Sequence, residues 1–285
     1  AVCNIILDPI FIFVCSMGVA GAAVATVLSQ FFSCAFAVSF LLSKRPQIKI
    51  SLGGYSPKLC LRILSVGVSP FLILATDSII IIIMNAVLQK AGGAEGDTLI
   101  TCVTIVQSYF MLITGPMLGI SGGTQALISY NYGACEIERI RSSEKFILIL
   151  CLCFTTIMFA VSRILPEYFV KIFTSSPEHI QLSVWGIKVF TMTIIPLSFQ
   201  YVLVDGLTAL GRTKTALFLS MFRKSFYCFN VILFAFVFSA KSAFYAQPVS
   251  DFVASTLSLF VFVAVFNKHL EKRKQMRCLK TADLT

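Results

Sequence analysis

AVCNIILDPIFIFVCSMGVAGAAVATVLSQ, residues 1–30, is two apolar stretches that meet at Met17-Gly18. Three polar side chains interrupt them: Asn4, Asp8 and Thr26. Asn4 and Asp8 are four residues apart and so share one face of a helix. Asp8 lies nine residues before the turn and Thr26 nine after it. At 1.5 Å rise per residue both sit roughly 13 Å below the turn, on antiparallel neighbours. A carboxylate at that depth in hydrocarbon costs about 2.5–3.5 kcal/mol on insertion scales, so an acid beside an amide and a hydroxyl reads as a cation or proton site. Pro9 frees the Ile5 carbonyl and is expected to bend the helix. A cation, a water or a neighbouring helix would satisfy that carbonyl. Thr26 has the ordinary alternative of bonding a carbonyl of its own helix.

Working outward, the whole chain has the same character. Its 285 residues are 57% hydrophobic and 13% charged, against about a quarter charged in soluble domains. Mean hydropathy is +0.89. The fold class is therefore an all-α integral membrane protein. Apolar runs place helices over about 1–13, 19–42, 61–88, 99–128, 146–165, 180–203, 216–238 and 243–266, a polytopic bundle of about eight transmembrane segments. The chain opens on Ala1, inside an apolar stretch, with no basic n-region or cleavage site. It reads as a fragment that begins partway through a helix rather than as a signal peptide.

The net charge of +10 does not point to nucleic acid, because the basic residues follow the connections. Sixteen occupy alternate loops and the C-terminal tail (among them Lys44, Arg45, Lys49, Arg139, Arg141, Arg212, Lys272 and Arg273), against four in the other set, Lys90, Arg163, Lys171 and Lys241. That bias puts the C-terminus in the cytoplasm. The basic, Pro- and Gly-containing stretch 44–60 reads as a cytoplasmic linker between two bundles, 1–43 and 61–266, with a basic tail at 267–285. The ten cysteines are read as small buried hydrophobes. The two histidines, His179 and His269, fall in expected loops, and no nucleophile–base or metal constellation suggests an enzyme or a cofactor.

The second bundle holds another intramembrane acid, Asp77, between Thr76 and Ser78. It is either functional, a structural ion pair or a protonated carboxyl. Lys188, on the helix over 180–203 with Pro196 and Gln200, lies at a depth that suits an ion pair with Asp77. Gly115-Pro116 and Gly119 are expected to break the helix over 99–128. Ser121-Gly122-Gly123-Thr124 offers a small polar surface for lining a cavity or close packing. Met84, Tyr109, Phe110, Met111 and Met117 are candidates for an adaptable apolar cavity, with ordinary packing as the alternative. Ser16–Gln30 and Ala240–Asp251 form a faint repeat: each closes a short turn and opens a helix, with Ala-x-x-x-Ser near its end.

NIILDPIFIF (4–13) leading into GVAGAAVATVLSQ (18–30), PMLGISGGTQALISYNYGA (116–134) and LTALGRTKTALFLSMFR (207–223) together resemble the MATE (multidrug and toxic compound extrusion) family. Leu207 and Thr208 depart from it, standing where an aromatic and Gln are frequent. The resemblance implies twelve helices in two lobes, of which this chain would hold the fifth and sixth helices and the complete second lobe, without the first four. It implies a plasma-membrane exporter of small cationic, amphipathic drugs, driven by sodium ions or protons through alternating access. Asn4, Asp8 and Thr26 are similar in type and spacing to the family's first-lobe cation site. Asp77 falls near a seventh-helix acid used by some relatives, with Gln200 as its second-lobe companion. Asp205 is expected at the cytoplasmic interface. The alternatives are a lipid-linked saccharide flippase of the same superfamily, which would favour an arginine-rich cavity, or an inactive truncated transporter.

Overall fold

The computed structural model describes residues 2–43, 53 and 56–282. Among these residues all regular structure is helical, as composition requires. The chain divides into two compact units, Ala1–Leu61 and Arg62–Thr285.

The first unit is built on α1 (Val2–Pro9) and α2 (Gly18–Leu42). Pro9 ends α1, and the backbone continues as a π-helical turn over Ile10–Val14. The wider turn closes with Cys15 donating to the Ile10 carbonyl at 2.9 Å. Ser16 and Gly18 then reverse the chain, both at φ 55°. Gly21 lets α2 approach this turn: a side chain there would collide with the Phe11 backbone. Small residues in the first turns of α2 thus set a close helix contact. The expected linker at 44–60 lies mostly outside the described residues, and its last four open α3 (Pro57–Gly92).

In the second unit α3 leads into α4 (Gly96–Gly133). α4 is unbroken, contrary to expectation, and carries Pro116 within it. One missing donor removes a single ladder bond, and the long flanking apolar turns hold the helix together. α5 (Ile137–Ile164) follows, then the short α6 (Pro166–Val170), which carries an exposed Lys171–Glu167 ion pair at 2.7 Å. α7 (Pro177–Phe190) and α8 (Ile194–Ala209) form one 33-residue span interrupted by a 3-10 turn at Thr191–Thr193. Hydroxyls tie the interruption down. Thr191 Oγ1 donates to the Ile187 carbonyl at 2.7 Å, and Thr193 Oγ1 donates to the Pro248 carbonyl of another helix at 3.2 Å.

α9 (Thr213–Val237) and α10 (Ala246–Ala282) complete the unit. α10 continues to Ala282, so the expected basic tail is largely a helical extension. α8 is the central element, packed on α4, α5, α9 and α10. The core around it includes Met84, Leu99, Ile113, Met117, Leu197 and Leu207, all buried. Met84, Met117 and Tyr109 belong to this core and Met111 is exposed, which is the ordinary packing reading. His179 lies in α7 and His269 in α10, in helices rather than loops. Cys102 and Cys151 are buried, but Cys34 and Cys153 are exposed on their helices, which in a membrane protein is consistent with lipid contact.

Candidate functional site

In the first unit the three sequence-predicted residues meet. Asn4 Nδ2 donates to Asp8 Oδ1 at 3.2 Å and to Thr26 Oγ1 at 3.5 Å. Thr26 in turn donates to the Ala22 carbonyl at 2.9 Å, so the ordinary role of a helical Thr coexists with the polar contact. Asn4 and Asp8 are half-buried and Thr26 exposed. Among the described residues Asp8 has no basic partner. The arrangement is a carboxylate oriented by a neutral amide and a hydroxyl, with its negative charge unanswered. Such oxygens suit a proton or a hard monovalent cation.

The second unit encloses a cavity of about 470 Å3, lined by α3, α4, α8 and α9. Its polar lining includes Asp77, Gln125, Gln200, Asp205, Arg223 and Lys224. Arg223 and Lys224 are consecutive on α9 and so point in different directions. Lys224, 3% exposed, pairs with Asp77, 54% exposed, at 2.6 Å, and also donates to the Ile73 carbonyl. Arg223 turns toward α10 and pairs with Asp251 at 3.2 Å; the exposures are 15% and 1%. Its second nitrogen reaches the Tyr201 hydroxyl at 3.4 Å. Gln247 Nε2 donates to the other Asp251 oxygen at 2.8 Å. The guanidinium geometry suits this task, because it holds a carboxylate and a hydroxyl from one rigid plane.

Gln200 and Asp77 both line the cavity without bonding each other: Gln200 Oε1 accepts from Ser258 at 2.5 Å. Asp205 also lines it, half-buried, with Oδ2 accepting from Ser121 at 2.5 Å. The polar surface on α4 holds it: Ser121 and Gln125 both bond α8, at Asp205. Lys188 does not reach Asp77. The buried face of α7 is Ser183, Gly186, Ile187 and Phe190, which leaves Lys188 outside, where its carbonyl accepts from Arg163 at 2.7 Å. The ion pair that is one reading of Asp77 is present, with Lys224 in place of Lys188.

The model of the MatE family matches residues 73–236, more than half of the chain. The chain belongs to the MatE family. Its members are transporters, not enzymes, and the chain is accordingly a multi-span membrane protein. Among proteins of this family, Multidrug export protein MepA of Staphylococcus haemolyticus is 20% identical over 267 residues, which is 93% of this chain and 58% of that protein. MepA of Staphylococcus aureus (strain MSSA476) is 23% identical over 215 residues, 75% of this chain and 47% of that one. A crystal structure of MATE in complex with MaL6 superposes with TM-score 0.83 at 22% identity, covering 96% of this chain and 61% of that chain. The chain thus spans about half to three-fifths of the length of these relatives.

Sequence reading missed the Arg223–Asp251 pair, the Lys224 partner of Asp77 and the buried Glu144. The signal was present. Arg223 and Lys224 lie ten and eleven residues into an apolar helix, where a cation needs an acid, and Asp251 opens another such helix.

Proposed function

We propose that this chain forms part of a secondary active multidrug exporter in the cell membrane. It would antiport small cationic, amphipathic compounds against sodium ions or protons by alternating access, with its C-terminus in the cytoplasm. The observation that carries the reading is Asp8, oriented by Asn4 across to Thr26 and without a basic partner among the described residues. A cation or proton arriving there neutralises an intramembrane charge. The free energy involved, about 2.5–3.5 kcal/mol, is enough to shift a conformational equilibrium by tenfold or more. In the second unit, Asp77 and Gln200 are proposed as secondary contacts to ions or drugs entering the cavity they line.

The test is ion-driven dye efflux from cells carrying a version of family length. Asp8→Asn is expected to abolish the dependence on the ion gradient. Unchanged coupled efflux would overturn the mechanism. The flippase alternative has one observation in its favour, the basic Arg223 and Lys224 in the cavity lining. Each is matched by an acid, Asp251 or Asp77, so among the described residues the lining offers no unpaired cation for a pyrophosphate. Export of cationic compounds remains the better fit.

A further inference from the structure

Glu144 lies on α5, 6% exposed, and both of its carboxylate oxygens lack a hydrogen-bond partner. Among the described residues it forms no ion pair. Its carboxylate sits against Gly206, where even a Cβ would overlap it. The neighbouring residue on α8 is Asp205, whose carboxylate lines the cavity. α8 contributes Asp205 to this region, and α5 itself carries the buried Cys151 and two cations that flank Glu144 in sequence, Arg141 and Lys145, both exposed. α4, which also packs on α5, has one charged residue, Asp97, at its far end. Among the described residues no cation pairs with Glu144, and an unpaired buried charge is far costlier than a neutral carboxyl.

We infer that Glu144 is a second proton-binding site. The inference rests on reading the chain as an ion-coupled transporter and adds a site to it. Glu144 holds the proton as a neutral carboxyl. On release, the Glu144 O–H bond breaks, the proton passes to a water molecule, and Glu144 is left as the carboxylate. A structural role alone does not account for Glu144, since an acid without partners packs no better than Leu or Gln.

The experiment is infrared spectroscopy of the full chain in lipid, following protonated carboxyl absorption at neutral pH. Glu144→Gln is expected to delete a band that Asp8→Asn and Asp77→Asn retain. A spectrum unchanged by Glu144→Gln would overturn the site. Should Glu144→Gln fail to fold, Glu144→Asp is expected to shift the band, and an unshifted band overturns the site equally. The readout needs no drug export. Loss of the efflux reading and loss of this site are therefore seen separately.

Discussion

Asp8 and Asp251 are held by the same local device and meet opposite fates. Each accepts from an amide four residues upstream, Asn4 at 3.2 Å and Gln247 at 2.8 Å. Each lies near the end of a helix that faces a small-residue turn or a short 3-10 segment. Asp251 then receives Arg223 and is 99% covered. Asp8 accepts from Asn4, which also donates to the Thr26 hydroxyl oxygen, and stays half-buried. A carboxylate whose cation is built into the chain is fixed, because separating the pair strands two charges. An acid without a built-in cation carries no such constraint. On the proposed function, the first kind of acid holds helices together and the second kind answers the coupling ion.

The largest effect expected from this contrast is at Arg223. Arg223→Met strands Asp251 and is expected to cost about 3–5 kcal/mol of stability, seen as a large fall in melting temperature in detergent. A variant that melts like the parent would remove the distinction between the two acids. Asp8→Asn is expected to change stability by about 1 kcal/mol or less, because no cation is stranded, while Asp251→Asn is expected to cost more. Equal costs at the two positions would mean that Asp8 has a partner of its own. Next come the orienting amides. Gln247→Leu removes a bond to a buried acid and is expected to cost about 1.5–3 kcal/mol, with Asn4→Leu costing less in the same melting assay.

The smallest effect is at the exposed α6 pair. Lys171→Ala is expected to leave the melting temperature unchanged at neutral pH. Lys171 holds the Glu167 carboxyl below its ordinary range, and Glu167 holds the Lys171 amine above its own. Whatever the pair contributes is present at neutral pH. It fades as pH falls through the lowered Glu167 range, and again as pH rises through the raised Lys171 range. A clear loss of stability in Lys171→Ala would show that α6 does more than cover the end of the bundle.

Most of the fold was legible because apolar runs of membrane length announce themselves. The eight expected segments reappear with most ends shifted by a few residues, the largest shifts being at the start of α5 and the end of α10. The first-unit triad was legible too, since two residues on one face and a third at matched depth leave little freedom. The second unit was harder. Depth along the helix placed Lys188 near Asp77, but rotation about the helix axis decides which side chain faces inward, and α7 buries a different face. Lys224 fills that place from α9. Pro116 misled in the other direction, because a proline signals one lost bond and tertiary packing decides whether the helix stops. The partner of Asp205 was not legible either, because the bond from Ser121 comes from another helix, 84 positions away in the chain.

The fit of Gly206 beneath Glu144 has a consequence for descent. A Cβ at 206 would meet the tip of the Glu144 side chain, which must swing aside to admit it. Alanine at 206 therefore re-aims the acid rather than forbidding it, and the two positions drift as a pair. A survey of related chains is expected to find a long acid at 144 most often beside glycine at 206.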